Sequence, residues 1–407
     1  MSPPASAPRS PPTQAPTLAI VLLSVAAFAS AANMRVIDPL LVQLAGTFNV
    51  SVGEASMAAT AFLLANGVFV LVHGPFGDRY GKMPVVAIAC LTAALCCLLS
   101  ALATSLAWLT LTRFLTGVTG SAIIPLAIAW LGDNVSYERR QATLARFLIG
   151  QTLGLMIGAA LGGAIGDWLG WRSVFWVLAA IYVAAGAALF AVMRARPDLA
   201  RPGEQGRGSM IAQMMTVLRR RWVITVVLVV ALEGGTFWGA FTFVGADLHQ
   251  RFDLGFAAIG LAVAAFGMGG FAYVLVAPLL VRLLGERGLC IWGGLGLGVA
   301  FAVMALAPTA EVEFAGIALS GISFYMLHNT LQTHGTQMAP EARGAAMALF
   351  ALCLFVGQAI GVPIAAPIVD RWGAPPVFWA AAVVLPLLAF WFVAALRRHQ
   401  FSGDTRN

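Results

Sequence analysis

Residues 138–176 read ERRQATLARFLIGQTLGLMIGAALGGAIGDWLGWRSVFW, and residues 341–379 read EARGAAMALFALCLFVGQAIGVPIAAPIVDRWGAPPVFW. At a constant offset of 203 positions, without a gap, Glu138 matches Glu341, Arg140 matches Arg343 and Phe147 matches Phe350. Gly154/Gly357, Gly158/Gly361, Asp167/Asp370 and Gly170/Gly373 coincide as well, and both stretches end in Val-Phe-Trp. Chance similarity between two apolar helices would match Ala and Leu, not Glu, Arg, Asp and Trp. Each stretch holds one apolar helix and the start of the next, so a helix pair recurs along the chain. Two parallel halves related by an axis along the membrane normal follow from such a repeat.

Composition agrees with burial in lipid. The 407 residues are 60% hydrophobic and 10% charged, with a mean hydropathy of +0.87. Soluble domains carry about 25% charged residues, and so few charges cannot cover a water-facing surface. A bilayer needs an apolar exterior and helices with internally satisfied backbones. The net charge of +7 could point to nucleic acid, but the basic residues lie between apolar runs, which excludes that partner.

Runs of about 20 apolar residues predict twelve spans. They cover 17–44, 54–73, 83–103, 107–131, 142–166 and 172–193, then 222–246, 256–281, 288–307, 311–338, 344–369 and 374–396. The expected division is a disordered N-terminus over 1–16, a six-helix half over 17–193, a linker over 194–221, a second half over 222–396 and a tail over 397–407. Of the 24 basic residues, 18 fall in the even-numbered loops and the termini, and only Arg172, Arg251 and Arg371 in the odd-numbered loops. Arg35, Arg113 and Arg146 fall within spans. By the positive-inside rule both termini and the linker are cytoplasmic, in an inner (plasma) membrane of bacterial type. A cleaved signal peptide is the competing reading of Arg9 and the run that follows, but Thr17–Leu44 is longer than an h-region of about 7–15 residues.

Cys90, Cys96, Cys97, Cys290 and Cys353 all lie inside apolar runs without metal-ligand spacing, so neither a metal nor disulfides are expected. No Ser/His/Asp constellation, phosphate-binding loop or ATPase motif is present. The chain is therefore expected to be neither an enzyme nor ATP-driven, and to need no cofactor.

Three motifs carry a family resemblance. Gly74-Pro75-Phe76-Gly77-Asp78-Arg79-Tyr80-Gly81-Lys82 follows the second span. Its glycines permit tight reversal, and its basic residues hold a loop on the cytoplasmic side. In the fourth span Leu109 precedes Arg113, Thr116 and Gly117, and the fifth carries Gly154, Gly158, Ala159, Gly162 and Gly163, small residues that let helices approach. The first span holds Arg35-Val36-Ile37-Asp38-Pro39-Leu40.

Together these resemble the twelve-span drug:proton antiporter branch of the major facilitator superfamily. The loop is similar to that family's signature between the second and third spans, which implies a conformational-gating role for Gly74, Gly77, Asp78, Arg79, Gly81 and Lys82. The fifth-span glycines resemble the antiporter motif, with Ala159 where the family has Pro, which implies a conformational-gating role for Gly154, Gly158, Gly162 and Gly163; packing without transport direction is the alternative reading. Arg113 stands where the family has a buried arginine implicated in proton coupling, followed by Thr116 in place of the usual Gln. The loop from Ala277 to Arg287 is a degenerate copy of the signature. The resemblance implies an all-α membrane protein of two six-helix halves.

Arg35, Asp38, Arg113 and Glu233 lie well inside apolar spans, where each charge costs about 2.5–3.5 kcal/mol at mid-helix. Such residues face the bundle interior. At about 1.5 Å rise per residue, Asp38 and Arg113 both lie roughly 9 Å below the outer surface, so pairing is allowed, and Arg35 shares a helix face with Asp38. The functional reading makes Asp38 the proton carrier, tuned by Arg113, with Arg35 beside it and Glu233 binding a cationic substrate or a second proton. The structural reading is a fixed ion-pair network. Tyr325, His328, Asn329 and Gln332 make the tenth span polar and are candidate substrate-binding residues or lining of the cavity or cytoplasmic gate, and Phe237, Trp238 and Phe241 line the seventh as a substrate wall or as core.

Two functions follow from these features. The first is export of a small organic molecule, drug or metabolite, in exchange for protons by alternating access; the second is proton symport of a small polar nutrient. A membrane-embedded sensor or enzyme is a third class with no supporting constellation. The expected partners are the substrate, protons and the bilayer, and the expected state is a monomer.

Overall fold

The computed structural model describes residues 16–202 and 210–404. The 1–16 segment expected to be disordered thus falls outside the described residues apart from Pro16, as do the parts of the linker and tail expectations at 203–209 and 405–407. Eleven helices are long and apolar enough to cross a membrane, and no strand occurs among the described residues. One of the eleven, Phe256–Leu306, holds 51 residues and is interrupted at Gly285 (φ 61°, ψ 179°), so that it supplies the eighth and ninth spans. The protein is an all-α membrane protein with twelve crossings.

The first six spans are Thr17–Phe48, Val52–Tyr80, Lys82–Ala101, Leu106–Asn134, Ala142–Leu169 and Trp171–Ala195. After the seventh span, Arg221–Phe252, and Phe256–Leu306 come Ala310–Gln337, Pro340–Trp372 and Pro375–Gln400. Most helices run past the expected apolar limits. The second reaches Tyr80 rather than residue 73, and the seventh Phe252 rather than 246. Hydropathy marks only the part in hydrocarbon, whereas backbone hydrogen bonding continues into the polar boundary. The segment between the halves also contains a helix, Met210–Val217. Its Met214 and Val217 are buried in the second core, so the expected linker includes a packed element.

Two cores hold the halves together. One is built from residues between Ala19 and Leu199, with Phe147, Phe175 and Tyr182 fully buried. The other runs from Met214 to Val393 and, among the described residues, buries Leu41 and Ala159 of the first half, with Val52 and Leu71 packed against it.

The repeat recurs in the packing. Gly154 meets the Phe28 carbonyl and Gly357 the Ala231 carbonyl; Gly158 meets Ala32 and Gly361 meets Gly235. Phe28/Ala231 and Ala32/Gly235 are again 203 positions apart. A Cβ on Gly158 would stand 2.6 Å from the Ala32 Cα, so only glycine allows the first and fifth spans to touch along their backbones, as the seventh and eleventh do.

Contact between the halves runs through the second and eleventh spans and through the fifth and eighth. Near one end Asp370 accepts hydrogen bonds from the Ser51 hydroxyl (2.7 Å) and the Gly53 N–H (2.8 Å). Its repeat partner Asp167 lies beside Gly255, at the start of the eighth span. Each carboxylate thus meets the N-terminal end of a helix in the opposite half, where free N–H groups and the helix dipole favour negative charge. Farther in, Gly67 packs on Phe355 and Gly267 on Met156.

Candidate functional site: a charged junction between the halves

Pro39 has no N–H, and in a continued α-helix its ring would press on the Arg35 carbonyl. The first helix accordingly stops at Arg35, a tight turn spans Asp38–Leu40, and a helix resumes over Leu41–Phe48. The span expected over 17–44 is present as Thr17–Phe48, with this break inside it. The seventh span breaks at the equivalent place, between Arg221–Phe241 and Val244–Phe252.

The break gathers the buried charges. Asp38 is 2% exposed and Arg35 5%. Arg35 Nη1 stands 3.5 Å from Asp38 Oδ2, while its Nη2 donates to Gln358 Oε1 of the eleventh span at 3.0 Å. Its guanidinium lies 3.4 Å from the ring centroid of Trp238 in the seventh span, a contact worth about 2 kcal/mol when desolvated. Arg35 and Trp238 are repeat equivalents, 203 positions apart, and their contact lies where the two halves meet. Asp38 Oδ1 has no hydrogen-bond partner.

Trp238 opens onto an aromatic cluster. Its ring packs against Phe237, Phe241, Phe266 and Phe324. Phe324 stacks on His328 at 4.9 Å, and His328 Nδ1 lies 2.8 Å from Glu233 Oε2. Glu233 is fully buried and its Oε1 has no partner. Two titratable centres, Asp38 with Arg35 and Glu233 with His328, are thus joined through stacked rings. Phe237 and Phe241 are packed within the second core; of the three seventh-span aromatics, Trp238 is the one beneath the junction arginine. Tyr325 is close enough to Arg35 to interact with it, Asn329 faces Tyr273, and Gln332 is exposed one turn below His328.

Arg113 is placed elsewhere. It donates to the Asn33 side-chain oxygen and to the Asn33 backbone carbonyl (2.9 Å), over the ring of Phe62 at 4.4 Å. Asn33 in turn donates to the Tyr182 hydroxyl at 3.5 Å. Arg113 is wholly buried and fixes the first helix just ahead of its break, with Asp38 within reach of its field but bonded to Arg35.

The signature segment is mostly helix, not loop. Gly74, Gly77, Asp78 and Arg79 lie in the helix that ends at Tyr80, and the reversal falls on Gly81 alone (φ 92°). Asp78 lies 3.7 Å from Lys82, which also bonds Asp133 at the end of the fourth span; Arg79 covers Tyr80. The fifth-span glycines divide by face: Gly154, Gly158 and Gly162 meet the first span, and Gly163 meets Gly260 of the eighth.

Sequence reasoning missed Asn33 and Gln358. Each is a single amide in an apolar run, and buried amides in lipid need partners; that cost was the available signal.

The model of the Major Facilitator Superfamily matches residues 23–343. An uncharacterized MFS-type transporter of Bacillus subtilis, YwfA, is 25% identical over 91% of this chain and 90% of its own. The chloramphenicol resistance protein of Streptomyces lividans is 26% identical over 86% of this chain and 88% of its own. Among solved structures, the crystal structure of a point mutant of the nucleoside transporter NupG superposes with a TM-score of 0.77 at 14% identity, over 92% of this chain and 99% of that one.

Proposed function

The chain belongs to the major facilitator superfamily, a family of transporters and not enzymes, and we propose that it exports a small organic molecule in exchange for protons by alternating access. The observation that carries this reading is the position of Arg35, bonded to Asp38 of its own half and to Gln358 and Trp238 of the other. A proton on Asp38 replaces an ion pair with a weaker contact between the cationic guanidinium and a neutral acid. It frees Arg35 to change its hold on the second half, so proton binding and the relative position of the halves are linked. Glu233 and His328 flank the substrate, with Trp238 and Tyr325 above and Asn329 and Gln332 along the entry path from the cytoplasmic side. Asp78, Lys82 and Asp133 form a latch at the inner end, and Asp370 and Asp167 hold the outer end closed. A relative named for chloramphenicol resistance supports an organic substrate and outward transport.

In this reading both termini and the 194–221 segment are cytoplasmic, the segment joins halves spanning 17–193 and 222–396, and the monomer works in the inner membrane of a bacterial cell. Membrane-impermeant labelling of intact cells is expected to miss a single cysteine at position 205 and to modify one at 252; the reverse pattern would overturn the orientation. The test of function is a screen in inverted vesicles with a pH-sensitive dye, using cationic, neutral and anionic compounds. A compound accumulated only while the vesicles are acid inside supports exchange. Proton-coupled import is the second reading, favoured by Ala159 in place of Pro and by the polar tenth span; it predicts uptake driven by the opposite gradient.

A further inference from the structure

A second set of buried charges lies apart from the junction. Asp247, in the helix Val244–Phe252 that ends the seventh span, is 2% exposed, and Glu313, in the first turn of the tenth, is fully buried. Asp247 Oδ2 is held by Arg251 Nη1 at 2.8 Å. The same Nη1 also donates to the Met304 carbonyl (3.1 Å), and Nη2 to the Ala307 carbonyl (2.6 Å), at the end of the ninth span. Arg251 is thereby occupied. Neither oxygen of Glu313 meets a donor, and the end of the seventh span packs against the tenth here, which brings the Asp247 carboxyl and Arg251 close to Glu313.

Two carboxylates cannot hydrogen-bond each other, since both only accept. Ionised together they would put two buried negative charges against a single cation, and closely placed like charges away from solvent disfavour ionising together. A proton on Glu313 removes the conflict. It turns one acceptor into a donor and satisfies an oxygen that is otherwise buried and orphaned at a cost of about 1–3 kcal/mol or more. The cation beside the pair, Arg251, is already bonded to the carbonyls of Met304 and Ala307. Glu311, the remaining acid of that turn, is exposed.

We propose that Glu313 and Asp247 share one proton, forming a proton-binding site in the second half that is separate from Asp38 and Glu233. The site lies where the seventh span ends and the tenth begins, on the side opposite the Met210–Val217 helix. It belongs to the repeat-breaking part of the second half: the equivalents of Asp247 and Glu313 in the first are Leu44 and Thr110. A monovalent metal cation between two carboxylates is the competing occupant.

The measurement is infrared absorption of the purified full-length protein in the carbonyl region of protonated carboxylic acids, at neutral pH. Wild type is expected to show a band that shifts on 13C-glutamate labelling and on exchange into D2O. The band is lost in Glu313→Gln, retained in Asp38→Asn, and displaced in Asp247→Asn, where the partner of the shared proton changes. The label shows on the unmodified chain that a glutamic acid is protonated, and Glu313→Gln, with Glu233→Gln as the control expected to retain the band, assigns it. A wild-type spectrum without a glutamic-acid band, or one that Glu313→Gln leaves intact, would overturn the proposal. So would melting that sodium chloride raises, relative to choline chloride, in wild type and not in Glu313→Gln, which would assign the site to a metal cation. None of these readings requires a transported substrate, so failure here and failure of the export reading are distinguishable.

Discussion

Asp38→Asn is expected to abolish proton-driven accumulation while leaving substrate binding and substrate–substrate exchange in place. Asparagine keeps the shape of the carboxyl and still offers an oxygen to Arg35 Nη1, which lies 3.5 Å from Asp38 Oδ2. What it removes is the ability to alternate between a charged and a neutral partner for that guanidinium. The half-to-half contacts of Arg35, to Gln358 and Trp238, then stop depending on pH. The accumulation ratio should fall by about tenfold or more, tenfold being about 1.4 kcal/mol of coupling. Comparing net accumulation with counterflow in proteoliposomes separates the two activities. A well-expressed Asp38→Asn protein that still concentrates substrate with the wild-type pH profile would remove Asp38 from the mechanism and bring Glu233 forward.

Arg113→Ala should damage the protein by a different route. Its guanidinium bonds both oxygens of Asn33 and lies over Phe62. Truncation leaves two acceptors buried, each at a cost of about 1–3 kcal/mol, and opens a void beneath Phe62 and Phe175. A loss of about 2–6 kcal/mol is expected from the two orphaned acceptors. It would appear as a lower melting temperature in detergent and reduced membrane yield. Arg113→Lys, which can keep one of the two bonds, should lose less. An Arg113→Ala protein with wild-type melting and a displaced pH optimum would instead make Arg113 a direct modulator of Asp38.

The two arginines show how much of the site was legible in the sequence. The cost of charge in lipid marks Arg35, Asp38, Arg113 and Glu233 as interior residues, and all four are buried. Depth along each helix allowed Asp38 to meet Arg113, but depth says nothing about rotation around the helix axis. The turn forced by Pro39 directs Asp38 to Arg35, and Asn33, one turn earlier, takes Arg113. Proline chemistry predicts a break at that point, whereas hydropathy reads through it. The repeat was legible from Glu138 and Glu341 onward, because its matched residues are polar or glycine. Its continuation into the first and seventh spans was hidden, since Phe28 pairs with Ala231 and Ala32 with Gly235, small or apolar residues that contribute backbone, not side-chain chemistry. Asp247 and Glu313 stand near span ends, where acids are ordinarily solvated, and only the packing of the seventh span against the tenth buries them.

The central claim is exchange of substrate for protons. It is tested most directly by loading proteoliposomes with a transported compound at equal internal and external pH and following internal pH as the compound runs down its own gradient. Exchange predicts that protons enter as substrate leaves, so the interior becomes acid, and that Asp38→Asn vesicles show no change. Alkalinisation of the interior during substrate efflux would mean that protons leave with the substrate, which is symport and would contradict the account.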